Sequence, residues 1–502
     1  MSAVTIRRRW SMTQPVRSAV WAQRLDLLAQ TLGRPAGRNF RTSLPERELA
    51  SAVERVVDAK DPDQTWLALA VMSAQIPLDH VVTQVSRDAE FTYGAALAEA
   101  IVKATTPETV RRRVEVLPPD SVLVDVSATV DAPFTTGIQR VVMETASRWA
   151  REHGAIPIAW TPDLRAIRRL TADETTRLRE RRARSGTPTP PRGDDIVVPW
   201  RCTFLEPEVL AELNRSASVR SLAQYARCRT GAISHDCIPI TFSETLIEWF
   251  GDTFAHHLSA MREFDRLAPV SEASATEHRG WRRALSATGR SGPEIDAVPL
   301  PSEVRPSSEA ELEAARRRFV VEGMPTVLVV GSSEPRKNHL AVLYAAEVLW
   351  RRGHRFCLTF IGGRAWGSDL FARKAEALAD AGLPLDIATG VDDAQLWAAY
   401  RVSQVTVFPS LAEGFGLPAA ESLACGTPTI TSDFGSMKEI AEGGGALLVD
   451  PRDDTQIIEA MERLLVDDQL LDQLRGQAQA RPARTWDMYA SETWNLLVKS
   501  GR

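Results

Sequence analysis

A strand, a glycine loop and a helix follow one another near the carboxy-terminal end of the chain, in the segment Val405-Thr406-Val407-Phe408-Pro409-Ser410-Leu411-Ala412-Glu413-Gly414-Phe415-Gly416-Leu417-Pro418-Ala419-Ala420-Glu421. Pro418 suits the first turn of a helix, and Gly426 suits the position just after its end. Two glycines let the backbone approach a ligand with its N–H groups aimed at it. Glu413 and Glu421 can then face one cleft, where ionised carboxylates accept hydrogen bonds from vicinal sugar or ribose hydroxyls. For Glu421 the alternative is that it merely complements the helix dipole.

The same alternation of short apolar runs and amphipathic segments extends through the second half of the chain. It predicts a buried parallel sheet with helices between its strands. The predicted strands are 326–330, 355–361, 385–388, 405–408, 427–431 and 446–449.

A second series of this kind precedes residues 301–308, which contain two prolines and three serines and predict a linker. A helix is predicted from about residue 137 to 153. The predicted strands are 122–126, 155–160, 196–200, 232–235, 267–270 and 295–300. Residues 164–193 carry nine arginines and predict a solvated helix followed by a proline-rich loop.

Before residue 119 the apolar residues recur at three- and four-residue intervals, most clearly over 16–32, 46–59 and 66–74. The fold class expected is α/β, with two Rossmann-like domains facing across a cleft and an all-helical amino-terminal extension. The expected divisions are a helical extension (1–118), a first domain (119–300), a second domain (308–483) and a carboxy-terminal helix (484–502).

The composition excludes several classes of protein. The formal net charge is −5, so the molecule as a whole is not an electrostatic nucleic-acid binder. Its apolar runs are shorter than the about 20 residues that a membrane-spanning helix needs, which predicts a cytoplasmic protein. Five scattered cysteines without a C-x-x-C pair indicate neither a disulfide framework nor a zinc site.

Metal and dinucleotide sites are not predicted either. Asp61-Pro62-Asp63 lies among predicted helices and suggests a turn, and His256-His257 has no acidic partner at ligand spacing. Gly443-Gly444-Gly445 precedes a strand instead of following one. We therefore expect no cofactor and no metal ion.

The segment Val330-Gly331-Ser332-Ser333-Glu334-Pro335-Arg336-Lys337-Asn338 follows a predicted strand and opens a helix. It differs from a P-loop because Arg336 occupies the second glycine position and Asn338 the magnesium-binding Ser/Thr position. A glycine turn and two cations at a helix start predict a phosphate site without metal. The alternative is a solvated basic helix start.

These motifs resemble those of family 4 glycosyltransferases. Glu413 and Glu421 resemble the E-x7-E signature, and Glu334 to Asn338 resemble the family's phosphate-binding segment. Upstream, Thr136-Gly137-Ile138-Gln139-Arg140 and Ser234-His235-Asp236 resemble members that act in bacterial surface-polysaccharide synthesis, many of them mannosyltransferases. Residues 1–118 have no counterpart.

The resemblance implies a GT-B fold and retaining, metal-independent transfer of a hexose from a nucleoside-diphosphate sugar, GDP- or UDP-linked. Arg336 and Lys337 would hold the diphosphate, Glu413 the donor sugar and Glu421 the ribose, and His235 would line the opposite wall near the sugar. The other implied contacts are Gly331, Ser332, Gly414, Phe415, Gly416 and Leu417, Val391 in the base-recognising loop 390–393, and Gly137 at the start of the first domain's helix. The alternatives for His235 and Gly137 are a satisfied histidine at a strand end and an ordinary tight turn.

Two other functions stay open: a catalytically inactive, transferase-like interaction protein, and a GT-B sugar epimerase or phosphorylase. The expected partners are the nucleotide-sugar donor and a glycan or lipid-linked acceptor. One hypothesis is that arginines 165–192 dock the acceptor or the inner face of the membrane, and that residues 1–118 bind a protein partner or a second copy. The alternative is a solvated arginine helix and a merely stabilising extension.

Overall fold

The computed structural model describes residues 14–34, 42–133, 135–180, 195–246 and 250–499. The amino-terminal helices pack on one another and on the first domain. Trp66 is fully buried and donates through its indole N–H to Ser221 Oγ at 3.1 Å, and Asp79 accepts from Tyr225 Oη at 2.6 Å. The helices are α1 (Gln14–Thr31), α2 (Glu46–Val56), α3 (Pro62–Ser73), α4 (Asp79–Thr92), α5 (Gly94–Ala104) and α6 (Pro107–Arg111).

The first domain contains a sheet of nine strands among the residues described, in the order β1-β5-β4-β3-β2-β6-β7-β8-β9. Neighbouring strands are parallel except around β4, which runs antiparallel to both β3 and β5. The strands are β1 (Arg113–Val116), β2 (Val122–Asp125), β3 (Ile156–Trp160), β4 (Ile167–Arg169), β5 (Asp195–Val198), β6 (Thr203–Glu206), β7 (Arg229–Ser234), β8 (Arg266–Pro269) and β9 (Glu294–Ile295).

Three of these strands were not expected from the sequence. Residues 113–116, which we had placed in the helical extension, form the edge strand β1 and pair with β5. β4 contains two arginines, and β6 is only four residues long. Their periodicity is too short or too polar to identify a strand, and pairing with neighbours supplies what the local pattern lacks.

Helices cover both sides of this sheet. The helix expected over 137–153 is present, with Thr136 as its N-cap and Gly154 in the left-handed region after its end. The helices are α7 (Ser127–Asp131), α8 (Gly137–His153), α9 (Ala172–Glu180), α10 (Leu213–Tyr225), α11 (Ile238–Thr241), α12 (Phe250–Met261) and α13 (Glu272–Ser286), and Ser243–Thr245 form a 3₁₀ turn.

The second domain has six parallel strands in the order β12-β11-β10-β13-β14-β15. The strands are β10 (Thr326–Val330), β11 (Cys357–Ile361), β12 (Leu385–Ala388), β13 (Val405–Phe408), β14 (Thr429–Ser432) and β15 (Ala446–Val449). The helices are α14 (Glu309–Phe319), α15 (His339–Arg351), α16 (Asp369–Asp380), α17 (Asp393–Val402), α18 (Leu417–Ala424), α19 (Gly435–Ala441), α20 (Asp454–Val466) and α21 (Asp468–Gln479), and Pro335–Lys337 form a 3₁₀ turn. Each strand predicted here is present, because most of these strands are short runs of apolar and β-branched residues, as is typical of a parallel sheet covered by helices.

The carboxy-terminal segment returns to the first domain. α22 (Trp486–Trp494) continues into a π-helix, Asn495–Lys499. Trp149 of α8 donates its indole N–H to Ala490 O at 2.8 Å, and Arg229 donates to Val498 O at 2.6 Å. The first domain is therefore completed by residues that follow the second domain in the chain.

The arginine segment does not form a uniformly solvated face. Arg168 is buried and donates to both oxygens of Glu174 at 2.7 and 2.8 Å, while Arg169 donates to Glu115 and Arg177 to Asp173. Arg181, Arg182, Arg184 and Arg192 lie outside the described residues. In the part of the chain that is described, no helix is both long enough and apolar enough to cross a bilayer.

Candidate active site between the two domains

The glycine loop lies where the second domain meets the first. It follows β13, and Gly416 has a φ of +103°, in the region that favours glycine. A Cβ on Gly414 would stand 2.9 Å from both His235 O and Asp236 Oδ2, so a side chain at position 414 would collide with the first domain. Glycine is required here because two backbones pass each other closely.

Two serines at the start of α13 attach this loop to the first domain. Ser271 Oγ donates to Gly414 O at 2.6 Å, and Ser274 Oγ lies within hydrogen-bonding distance of Gly414 O and of His235 O, at 3.0 and 2.6 Å. Glu439 of α19 adds a further contact, because its carboxylate accepts from Glu272 N at 3.0 Å. The glycine loop and the His235 segment are thus held as one unit.

Glu413 lies between the two predicted phosphate-binding cations. Lys337 Nζ is 2.5 Å from Glu413 Oε1, and Arg336 Nη1 is 2.8 Å from Glu413 Oε2. Arg336 also donates to Glu334 at 2.9 Å and to Ala412 O at 2.6 Å, and Ser410 Oγ donates to Glu413 at 2.7 Å. The cations at this turn therefore have partners inside the protein.

Burial opposes ionisation of Glu413, but the charges of Arg336 and Lys337 outweigh it and lower the pKa of Glu413 to about 2. Burial lowers the pKa of the Arg336 guanidinium, but the negative charges of Glu413 and Glu334 outweigh it and raise that pKa above its usual value. Glu413 is an anion at neutral pH and can accept hydrogen bonds, but it has no proton to give.

The predicted phosphate-binding segment is a separate 3₁₀ turn and not the first turn of a helix. Arg336 and Lys337 lie in the 3₁₀ turn, and α15 starts at His339 after Asn338, which is left-handed with a φ of +58°. Asn338 donates to Pro409 O at 3.2 Å and to Pro451 O at 2.7 Å, which ties this turn to the glycine loop. Gly331 has a φ of +138°, and Ser332 Oγ donates to Glu334 at 3.2 Å.

Glu421 has a partner from the other domain. Arg140 of α8 lies 2.5 Å from Glu421 Oε1, and the buried Tyr400 donates its hydroxyl to Glu421 Oε2 at 3.1 Å. Burial raises the pKa of Glu421, although both of these hydrogen bonds favour its ionised form. The two carboxylates of the glycine-loop segment are thus engaged differently, one by its own domain and one across the cleft.

His235 and Gly137 lie on the first domain's side. His235 is buried and its Nε2 donates to Pro207 O at 3.0 Å, so Nδ1 is the nitrogen left to accept. Burial lowers the pKa of His235, which keeps the ring neutral at pH 7. Gly137 opens α8, and a Cβ there would lie 3.4 Å from Leu417 Cδ1. This places Gly137 directly opposite the glycine loop.

The remaining predicted residues lie around these groups. Phe415 and Leu417 are partly buried against the apolar cluster that includes Trp486, and Val391 packs with the cluster around Trp397. A cavity of about 380 Å³ opens beside the phosphate-binding turn. Its lining includes Gly331, Gly362, Gly363, Ser333, Arg364 and the buried His339.

Sequence reasoning missed several residues of the site. Arg140 lies in the Thr136–Arg140 motif, but only Gly137 was assigned a role there. Tyr400 and Ser274 carried no signal, because a tyrosine inside a helix and a serine near a helix start are ordinary. Their contacts join residues that are far apart in the chain, and the motif Thr136–Arg140 at the start of α8 was the one local indication.

No cluster of three or more potential metal ligands occurs among the residues that the structure describes. The turn predicted at Asp61-Pro62-Asp63 is instead the start of α3. Asp61 is the N-cap, since its side chain accepts from Asp63 N at 3.0 Å, and Pro62 occupies the first helical position. His257 accepts from Leu210 N at 3.2 Å, and burial lowers its pKa to about 3.

Comparison with known proteins finds a family match that lies in the second domain. Residues 313–481 match the family model "Glycosyl transferases group 1". The chain is 29% identical to the serotype-specific mannosyltransferase WbdA of Escherichia coli over 262 residues. The alignment covers 50% of this chain and 31% of that relative. The chain is 30% identical over 197 residues to the O-antigen chain mannosyltransferase B of Escherichia coli, covering 39% of this chain and 51% of that relative.

The chain thus spans about a third of the first relative and about half of the second. Among solved structures, Anabaena Alr3699/HepE in complex with UDP and glucose matches with a TM-score of 0.55 at 14% identity, covering 76% of this chain and 100% of that one. Sucrose-phosphate synthase from Thermosynechococcus elongatus matches with a TM-score of 0.53 at 16% identity, covering 75% and 98%. These likenesses confirm the expected fold, two Rossmann-like domains facing across a cleft.

Proposed function

We propose that the protein is a retaining glycosyltransferase, because residues 313–481 match the model of the group 1 glycosyl transferases and the chain has the two-domain GT-B fold. It transfers a hexose from a nucleoside-diphosphate sugar, GDP- or UDP-linked, to a glycan acceptor. The names of the two Escherichia coli relatives support mannose as the sugar and a polysaccharide as the acceptor.

One observation carries this proposal: Arg336, Lys337 and Glu413 form a single charged cluster next to the first domain. A donor diphosphate offers the two cations a doubly charged partner in place of Glu413. Negative charge grows on the diphosphate as the bond to the sugar breaks, so cations fixed at this point stabilise the transition state more than the ground state.

At the sugar, Glu413 acts as an acceptor of hydrogen bonds from hydroxyl groups, and its negative charge stabilises positive charge that develops on the ring. Glu413 is a weak base because its pKa is about 2, and the His235 imidazole is a weak base because burial lowers its pKa. The acceptor hydroxyl therefore loses its proton to the departing diphosphate oxygen. That oxygen leaves on the face the acceptor enters, which gives retention.

At the nucleotide, Glu421 binds the ribose hydroxyls and the loop with Val391 contacts the base. Backbone groups at Gly331, Ser332 and Gly137 approach the diphosphate. Phe415, Gly416 and Leu417 shape the glycine loop around the sugar. Two cations already lie at the diphosphate position, and this supports a reaction that needs no metal ion.

Binding is tested by thermal unfolding with GDP, UDP, ADP, dTDP and their sugars, because a ligand at ~100 times its dissociation constant stabilises by ~2.7 kcal/mol. Transfer is tested by release of free nucleoside diphosphate, which must require an acceptor and must survive EDTA. Release without acceptor indicates a phosphorylase or epimerase, and binding without release indicates an inactive relative. Loss of turnover with EDTA, restored by magnesium, contradicts the metal-independent reaction.

Peripheral membrane contact and association through residues 1–118 stay predictions. The internal partners of Arg168, Arg169 and Arg177 leave fewer arginines for a membrane surface. The contacts of Trp66 and Asp79 with the first domain support the stabilising role of the extension.

A further inference from the structure

The Arg140 side chain crosses the cleft between the domains and contacts Glu421, the carboxylate that is proposed to bind the ribose. Its guanidinium is 2.5 Å from Glu421 Oε1 and stacks over two indole rings, with centroids at 5.3 Å for Trp397 and 5.7 Å for Trp486. One of these rings belongs to the second domain and the other to the carboxy-terminal helix. Arg140 therefore has a defined position here and is not a loose surface side chain.

Glu421 has little room for another donor while Arg140 is in place. Its side chain is 7% exposed, and its two oxygens receive Arg140 and Tyr400 respectively. Tyr400 is fully buried within its own domain, whereas the Arg140 side chain is 28% exposed and comes from the other domain. Of the two partners, Arg140 is the one that can leave without unpacking a core.

We propose that Arg140 and the donor ribose compete for Glu421, so that Arg140 closes the nucleotide site in the ligand-free protein and donor binding opens the Arg140–Glu421 pair. The inference rests on the proposed function, because it takes a ribose at Glu421 as the competing ligand. It assigns a role to a residue that touches neither the sugar nor the reacting bond.

The competition also couples nucleotide binding to the contact between the domains. Other hydrogen bonds between the domains do not involve Glu421. Ser271 and Ser274 contact Gly414, Glu272 N donates to Glu439, and Trp366 donates its indole N–H to Thr245 O at 2.9 Å. Losing the Arg140 contact therefore loosens the end of the cleft at Trp397 and Trp486 and leaves the His235 end attached. By linkage, what weakens the Arg140–Glu421 pair strengthens nucleotide binding.

Titration calorimetry on the full-length chain tests the competition with two probes, the nucleoside diphosphate that stabilises the wild type and inorganic pyrophosphate. Arg140→Met keeps an unbranched apolar side chain and removes the charge. We expect it to bind the nucleoside diphosphate about tenfold more tightly than the wild type, a change of about 1.4 kcal/mol, and pyrophosphate no more tightly. The affinity of Arg140→Lys for the nucleoside diphosphate should lie between those of the wild type and Arg140→Met. Arg151→Met is the matched control on the same helix, because Arg151 is 61% exposed and pairs only locally with Glu152.

A double-mutant cycle tests the pair independently of affinity. Arg140→Met, Glu421→Gln and the double variant are compared by thermal unfolding without ligand and with saturating nucleoside diphosphate. The effects of the two substitutions on stability should be non-additive without ligand, because contacting residues are coupled. With ligand bound the effects should be additive, because separated residues are not coupled.

Three outcomes overturn the inference. If Arg140→Met weakens both probes, Arg140 is a phosphate contact. If it weakens only the nucleoside diphosphate, Arg140 holds Glu421 in place for the ribose. If coupling persists with ligand bound, the pair does not open. A wild type that binds no nucleoside diphosphate refutes the proposed function as well, whereas the three outcomes above leave that function standing.

Discussion

The two Rossmann-like domains differ in where their cores come from. The buried residues of the second sheet's clusters lie within residues 315–478, one continuous stretch of chain. The main cluster of the first domain joins Trp21 and Trp66 to strands as distant as Ile295, and a second cluster adds Trp486 and Trp494. A continuous domain can be recognised from local pattern, whereas an assembled one depends on segments that meet only after folding.

The charged groups of the site show the same difference. Glu413 is neutralised by Arg336 and Lys337 of its own domain, while Glu421 is neutralised by Arg140 from the other. A pair within one rigid domain keeps its geometry when the domains move. A pair across the cleft exists only while the cleft is closed at that point.

The largest expected effect comes from a change in the part of the first domain's core that the helical extension supplies. Trp66→Ala should destabilise the protein by about 3–5 kcal/mol, the usual cost of truncating a buried aromatic side chain. It also leaves Ser221 without the indole donor. Tyr344→Ala is the control in the second domain, since that tyrosine is 50% exposed. Denaturant unfolding decides the matter, and equal midpoints for the two variants would mean that the helical extension is not part of the first domain's core.

The next effect concerns the two cations, Arg336 and Lys337, that neutralise Glu413 within the second domain. Arg336→Ala and Lys337→Ala should each lower kcat by about 100-fold, because the lost charge acts mainly on the transition state. Arg373→Ala, an exposed arginine on α16, is the matched control. Steady-state release of nucleoside diphosphate measures this. Unchanged kcat in both variants would mean that these cations only neutralise Glu413 and do not act on the donor diphosphate.

A smaller effect separates the two carboxylates. Glu421→Gln should weaken binding of the bare nucleoside diphosphate about tenfold, the loss of about 1.4 kcal/mol, whereas Glu413→Gln should chiefly lower kcat. Calorimetry with the bare nucleotide measures the first effect and single-turnover transfer the second. Equal losses of nucleotide affinity in the two variants would contradict the division of roles.

The smallest effect is on the pH dependence of binding. Burial raises the pKa of Glu421 above its usual 4.5, and the pKa of Glu413 is about 2. As the pH falls below neutral, Glu421 therefore gains a proton before Glu413 does and becomes a poorer acceptor for ribose hydroxyls, while Glu413 stays ionised. The wild type should lose more nucleotide affinity over this interval than Glu421→Gln does. The ligand's own phosphate titrates in the same way with both proteins, so comparing them removes its contribution. Parallel pH profiles of affinity for the wild type and Glu421→Gln would show that Glu421 does not titrate in this range.

Much of the second domain was predictable because its signals are local. The strands at 326–330, 385–388, 405–408 and 446–449 are present where they were predicted. In the first domain five of the six predicted strands are present, but the prediction for 295–300 was wrong except at its first residue, because β9 is only Glu294–Ile295. The sequence did not predict β1, β4 or β6, whose residues become strands through pairing with β5, β3 and β2. The arginine-rich segment was expected to be solvated, and Arg168 is buried against Glu174.

The sequence determined the order of strands and helices in the second domain and the identity of its charged residues, because periodicity and turn chemistry act over a few neighbouring residues. It also placed Arg336, Lys337 and Glu413 in loops that follow strands of one parallel sheet, whose carboxyl ends meet at one edge. Which groups neutralise one another was decided in the folded molecule. Arg140 and Glu421 are 281 positions apart, and their contact depends on how two domains, a helical extension and a returning carboxy-terminal helix pack together.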